Sequence, residues 1–213
     1  MRLQSKCGSC EAGFINNKSF VSLQQLMKLD IPSGVAVLLR HAARNPILDG
    51  ENPDIAMLTE AGIQQAVDFG REISQKYTLV RVFSSPVQRC VDTGTNILLG
   101  AGIRQQVILK WWLYTPFVDL GQEARGQKDI IELNNEGFEN FIPTRYLKLM
   151  GENIKVPRQK NHLIIYLTHD SSITAFTRYF MNGSHKEQAG FPGFLEGPLL
   201  YRQDSRLMLY HPG

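Results

Sequence analysis

Three short segments concentrate side chains that can do chemistry on an anion: Arg40-His41-x-x-Arg44, Ser84-Ser85-Pro86-x-x-Arg89 and Thr168-His169-Asp170. Arginine forks bind phosphate oxygens bidentately. Cations around the equatorial oxygens stabilise the charge of a phosphoryl group in flight, the main service a protein can offer this reaction. A neutral imidazole can attack phosphorus in line and form a covalent intermediate. A nearby carboxylic acid can then protonate the departing alkoxide. With arginines supplying the positive charge, neither a metal nor any other cofactor is called for.

For these groups to act together, the chain must bring them to one place, and the surrounding pattern says how. Val35–Leu39 is a continuous apolar run of strand length, as expected of a buried central strand. Leu79–Phe83, Val107–Leu113 and His162–Leu167 read as further strands. Helices are predicted over Phe20–Leu29, Leu58–Tyr77 (with Thr59 as N-cap and a stripe of Ile63, Ala66, Val67, Gly70, Ile73 and Tyr77), Val87–Leu99, Phe138–Met150 and Ser171–Phe180. Phe194–Tyr201 and Arg206–Tyr210 read as a closing hairpin that adds antiparallel strands at an edge of the sheet. Strands alternating with helices predict an α/β fold: a three-layer α/β/α sandwich on a mostly parallel, mixed sheet. Each polar segment follows a strand, so parallel strands would gather all three in one crevice at their carboxyl ends, where open α/β sheets bind ligands.

These segments resemble those of the histidine phosphatase superfamily, the phosphoglycerate-mutase-like fold. Arg40-His41-Ala42-Ala43-Arg44-Asn45-Pro46 resembles its R-H-G-x-R-x-P signature, and Leu58-Thr59-Glu60-Ala61-Gly62 its L-T-x-x-G helix start. Ser84 to Thr93 resembles its S-S-x-x-x-R-x-x-x-T segment, and Thr168-His169-Asp170 the His-Asp pair of its acid-phosphatase branch. The resemblance runs from about Val35 to the end. It implies a phosphoric monoester hydrolase with His41 as nucleophile and Arg40, Arg44, Arg89 and His169 as the phosphate pocket. Asp170 becomes the proton donor, which would give an acid-shifted optimum; Asp119 and Glu123, in the region where the other branch carries a glutamate donor, rank below it. Two departures stand out. Ala42 replaces the usual glycine and could crowd the pocket. Only residues 114–159 are available for a lid, so substrate preferences do not carry over.

Other readings compete. A phosphoglycerate-mutase-like phosphotransferase would return the group to another hydroxyl of its substrate. A non-catalytic phosphate-binding module would keep the pocket without the reaction. Taken singly, Arg89 could be a surface ion-pairing residue, and Asp170 a helix cap, a donor or both. Ser84 and Ser85 could hydrogen-bond phosphate or merely end a strand. Of Trp111 and Trp112, one is expected in the core and one as a pocket wall. His162, His185 and His211 receive no role.

The 213 residues, 43% hydrophobic, suffice for one domain over 1–213, with residues 1–33 an N-terminal extension carrying a short helix. A net charge of +3 without runs of like charge favours a small phosphorylated substrate over nucleic acid or membrane as partner; oligomeric state stays open. Cys7-x-x-Cys10 lacks the further ligands of a zinc site, and with Cys90 the count is odd, against a disulfide framework. The absence of an apolar leader or spanning run leads to the expectation of a cytoplasmic protein. No Walker or G-x-G-x-x-G run follows a strand.

Overall fold

The computed structural model describes residues 4–5, 20–48, 50–114, 130–135, 138–180, 190–203 and 206–210. In chain order the elements are β1 (Gln4–Ser5), α1 (Leu23–Lys28), β2 (Val35–Arg40), α2 (Glu60–Ile73), β3 (Thr78–Ser84), α3 (Gln88–Gly100), β4 (Ile108–Leu109), β5 (Ile130–Asn135), β6 (Phe138–Pro143), α4 (Thr144–Asn153), β7 (His162–Thr168), α5 (Asp170–Phe180), β8 (Leu199–Gln203) and β9 (Arg206–Tyr210). One sheet runs β1-β9-β8-β2-β7-β3-β4, and β5 pairs with β6 in a separate two-stranded sheet. β2, β7, β3 and β4 are parallel, β8 is antiparallel to β2, and β9 antiparallel to β8. The sheet is mixed, as expected.

Side-chain alternation along the central strands separates two cores. Val35, Val37 and Leu39 of β2 and Leu163, Ile165 and Leu167 of β7 pack with Leu26 of α1, Ala66, Phe69 and Ile73 of α2, and Ile97 and Leu98 of α3. Ala36 and Leu38, with Ile164 and Tyr166, face the other way and pack with Leu147 and Met150 of α4 and Ile173 and Phe176 of α5. Both faces of β2 and β7 are covered, which is why those strands read as unbroken apolar runs. The result is the three-layer α/β/α sandwich.

Five expectations need correction. On α2, Ile63 is 41% exposed, and Gly62 and Phe69 take core positions instead. Val107–Leu113 supplies only the two-residue edge strand β4 before turning into a 3-10 helix over Trp111–Leu113. The segment 138–143 is strand, not helix, since it pairs with β5 from Ile130↔Pro143 to Asn135↔Phe138. Pro143 marks the switch, standing at the N-cap of α4, beyond which a proline inside the helix would cost a hydrogen bond. Phe194–Tyr201 becomes regular strand only at Leu199, because Leu195 takes a left-handed backbone conformation (φ 55°) that no strand continues through. The closing hairpin is also not the sheet edge, since β1 pairs with β9.

Helices α2 and α3 cross at two glycines. A Cβ on Gly70 would lie 2.0 Å from the Ile97 carbonyl oxygen, and one on Gly100 would lie 1.9 Å from that of Val67. In an exposed helix interior, Gly→Ala stabilises by about 1 kcal/mol. Here the backbones must separate, so Gly70→Ala is expected to destabilise by about 1–3 kcal/mol, read as a fall in the urea midpoint at unchanged slope. A stabilised variant would mean that the two helices can part freely.

Candidate active site

The sheet register assembles the site. Arg40 at the end of β2 pairs with Thr168 at the end of β7, and Ser84 at the end of β3 with Leu167. Because β7 lies between β2 and β3, the residues that follow these three strand ends converge. His41 continues from β2 with its amide donating to the Thr168 carbonyl (3.2 Å), and the Ser85 amide donates to the Leu167 carbonyl (2.9 Å).

The Leu58-Thr59-x-x-Gly62 turn braces the loop behind His41. The Thr59 amide donates to the Ala43 carbonyl (3.0 Å), and the Thr59 hydroxyl caps α2 by accepting from the Gly62 amide (3.0 Å). A Cβ on Gly62 would come within 2.0 Å of that Ala43 oxygen, so glycine is what lets α2 close on the loop. Thr93 adds a second brace: its hydroxyl donates to the Arg89 carbonyl (2.7 Å) and accepts from the Ala42 amide (3.1 Å). Ala42 does not crowd the pocket, for its methyl is fully buried in the core and its φ is not positive.

His41 is 2% exposed. Its Nδ1 lies 2.8 Å from the Ala42 carbonyl oxygen, which can only accept, so Nδ1 carries the proton and Nε2 the lone pair. The Arg89 Nε–H donates to that Nε2 (3.1 Å). The same guanidinium donates from one Nη to the Pro53 carbonyl (2.6 Å) and from the other to Nδ1 of His169 (3.1 Å). With its Nδ1 accepting, His169 is left to donate from Nε2 to the Ser85 hydroxyl (3.2 Å). Arg89 is therefore no surface residue: it is 5% exposed, with neutral groups as its partners. A buried guanidinium held this way is costly unless an anion comes to it.

Arg40 and Asp170 form an ion pair (2.9 Å), and Arg40 also donates to the Pro192 carbonyl (2.9 Å). Asp170 is the first residue of α5; its Oδ1 accepts from the Ser171 amide (2.8 Å) while Oδ2 holds Arg40. Arg44 stands further out, donating to the Asn45 carbonyl (2.8 Å), although its charge still reaches Arg89 and His169. Asp119 and Glu123 lie outside the described residues, as do Cys7, Cys10, His185 and His211. The described site thus brings together His41, Arg89, His169, Arg40 and Asp170, with Arg44 at its mouth.

Burial pushes His41 down to about 3, opposed by the bond to Ala42 and reinforced by the charges of Arg89 and Arg40. Burial and then Arg89 hold His169 well below its usual value. Both imidazoles are neutral in the folded protein while the unfolded chain takes up protons below about pH 6.5. The unfolded state therefore binds more protons in that window, and stability is full above pH 6.5 and falls as pH drops toward 3. His41 accounts for about 1.4 kcal/mol per pH unit. Between pH 7 and 5, His41→Gln is expected to lose about 2 kcal/mol less than the wild type in urea unfolding. Equal losses would mean that His41 is protonated in the fold.

Several residues at the site carry no signal in the motifs. Pro53 contributes only a carbonyl. The Tyr114 hydroxyl donates to Asp54 Oδ2 (2.9 Å), and the Phe194 ring lies over the Arg40 guanidinium (4.4 Å). Ser84 turns its hydroxyl to the Ser85 carbonyl (2.7 Å) and so supports the turn. Trp112 packs partly buried against the core at the Tyr166 ring, as expected of one of the pair, whereas Trp111 is 76% exposed. Cys90 is buried in the core, its thiol pushed up to about 12 by burial.

Residues 36–111 match the family model of the histidine phosphatase superfamily, branch 1. Over this segment, about a third of the chain, the protein is similar to the histidine phosphatase superfamily. The acid-phosphatase branch suggested by Thr168-His169-Asp170 gains no support from that match. No curated protein sequence matches the chain. Solved structures share the histidine phosphatase fold. A mycobacterial glucosyl-3-phosphoglycerate phosphatase complexed with VO3 is 19% identical with a TM-score of 0.57, over 84% of this chain and 98% of that one. A phosphoserine phosphatase variant from Entamoeba histolytica, in complex with phosphoserine, is 18% identical with a TM-score of 0.53, over 82% and 94%. Among the described residues no helix is long and apolar enough to cross a membrane, and no group of three His, Cys, Asp or Glu side chains is placed to hold a metal ion.

Proposed function

We propose that the protein is a phosphatase that hydrolyses a phosphate monoester through a phosphohistidine on His41. The observation that carries this reading is the buried Arg89 guanidinium, bonded at once to Nε2 of His41 and Nδ1 of His169. A phosphoryl group has the charge to draw Arg89 off these nitrogens and can sit between them. Arg40, Arg44, Arg89 and His169 then hold its oxygens, and His41 Nε2, already the unprotonated nitrogen, attacks phosphorus. The P–N bond forms as the ester P–O bond breaks, and the leaving oxygen takes a proton from Asp170, which picks up that proton once the phosphoryl group has drawn Arg40 off its carboxylate. Water then cleaves the P–N bond, releasing phosphate and restoring the imidazole. Fold relatives that are phosphatases acting on small phosphorylated compounds agree with this reading.

The test is hydrolysis of a panel of esters with EDTA present, together with trapping of the protein by a 32P-labelled substrate in acid quench. Turnover that EDTA leaves intact and label retained on His41 support the proposal; free phosphate released without any labelled protein counts against it. The donor is tested by leaving group. Asp170→Asn is expected to slow glycerol phosphate by about 10²–10⁴ and 4-nitrophenyl phosphate far less, since nitrophenolate departs unaided. Equal slowing of both would remove Asp170 as donor and leave it the role of holding Arg40.

A further inference from the structure

Two aromatic rings flank the paired imidazoles. The Phe194 ring lies 5.9 Å from that of His41, the Tyr114 ring 6.4 Å from that of His169 and edge-on to it, and the imidazoles themselves are 5.7 Å apart. Both rings are fixed in place before any ligand arrives. Tyr114 is tied through its hydroxyl to Asp54, on the same short turn whose Pro53 carbonyl holds Arg89. Phe194 lies over the Arg40 guanidinium.

The backbone beside Phe194 is strained to keep it there. Leu195 has φ 55°, a conformation unfavourable for a residue with a Cβ. Its amide donates to the Arg40 carbonyl (3.2 Å), and its side chain is buried in the core. These contacts over-determine the strained residue, and such strain persists mainly where function needs a fixed geometry. The outcome is a phenyl ring that remains 39% exposed at the mouth of the site. Ile55 (65%) and Met57 (45%), beside Pro53 and Asp54 in sequence, add exposed apolar surface to the same loop.

We propose that Phe194 and Tyr114 are the walls of a leaving-group subsite, and that the substrate is the phosphomonoester of a phenol. This rests on the phosphatase reading above and names its substrate class. A sugar or polyol leaving group would look here for free hydrogen-bonding groups. Among the described residues, the polar groups next to these rings, Asp54 and the Arg40–Asp170 pair, are bonded to Tyr114 and to each other. A planar ring instead finds two aromatic rings, and aromatic pairs gain beyond their buried area when offset-stacked or edge-to-face. The chemistry agrees. The aryl P–O bond breaks as the P–N bond to His41 forms, and the phenolate keeps the electron pair. Asp170 begins this step ion-paired with Arg40. A phenolate, the base of an acid with a pKa of about 10, needs the least help from a donor so engaged.

Leaving-group reactivity must be kept apart from recognition, so the test reads binding of non-hydrolysable phosphonates by calorimetry. Benzylphosphonate and cyclohexylmethylphosphonate have similar bulk and the same anion, and only the first is flat and aromatic. The wild type is expected to bind benzylphosphonate about fivefold more tightly. Phe194→Leu and Tyr114→Leu should each bring that ratio toward one, and Phe194→Tyr should retain it, with folding of each variant checked by circular dichroism. A wild-type ratio of one, or a ratio that survives both leucine replacements, overturns the inference while tight binding of inorganic phosphate leaves the phosphatase reading intact. If neither phosphonate nor inorganic phosphate binds, both readings fall together.

Discussion

Replacing His41 with alanine is expected to lower kcat by a factor on the order of 10⁴ or more, since it removes the only proposed covalent acceptor. Among the described residues, the structure explains why no neighbour can take over. His169 is the other imidazole in the pocket, but its Nε2 faces the Ser85 hydroxyl and its Nδ1 faces Arg89. Cys90 lies beside His169, but its thiol is buried and pushed up to about 12, so it offers no thiolate at neutral pH. His41→Gln, which keeps a polar side chain near Arg89, should be as inactive as His41→Ala. Steady-state rates on a phenyl ester, with trapping of labelled protein alongside, check this. Full activity in either variant would end the phosphohistidine mechanism.

Arg89→Lys should lower kcat/KM by about 10²–10³, the scale seen when one preorganised donor to developing charge is lost. Charge is conserved in this substitution, so the loss isolates geometry. The guanidinium reaches His41, His169 and the Pro53 carbonyl simultaneously because its donors point in three directions within one plane. A lysine ammonium is a compact point charge on a flexible stem and cannot span all three. Inhibition by inorganic phosphate should weaken in parallel, because binding and transition-state stabilisation use the same fork. A loss below tenfold would mean that Arg89 acts only through its charge, and that the planar fork is dispensable.

The candidate groups were legible in the sequence because each follows a strand, and strand ends in a parallel sheet share an edge. Arg40, His41, Arg89 and His169 were found in that way, and the register of β2, β7 and β3 brings them together. The apolar runs at Val35–Leu39 and His162–Leu167 were equally plain, since strands covered on both faces carry no polar alternation. What escaped were features whose signal is not in side-chain type. The strand over 138–143 has the composition of a helix start, and only pairing with 130–135 makes it extended. Pro53 acts through its carbonyl, which any residue carries. Phe194 matters because Leu195 turns left-handed, and nothing in the letters Gly193-Phe194-Leu195-Glu196 announces that turn.

The short helix α1 sets a limit on how far the chain can be trimmed. The Lys76 ammonium donates to the carbonyls of Met27 (2.8 Å) and Leu29 at the helix end, and the Tyr77 hydroxyl to that of Leu26 (3.0 Å). Val21, just before it, exchanges backbone hydrogen bonds with Gly197, and Gly197 in turn lies so close to β2 that a Cβ there would meet the Leu38 carbonyl oxygen at 1.8 Å. The segment from Phe20 to Leu29 is thus a fastener whose far end reaches the backbone under Leu195 and Phe194. A truncation starting at Gly34 would uncover Leu26's place in the core and remove the backbone bonds from Val21 to Gly197, three residues after Phe194, so the smallest piece able to fold as a unit is expected to begin no later than Phe20.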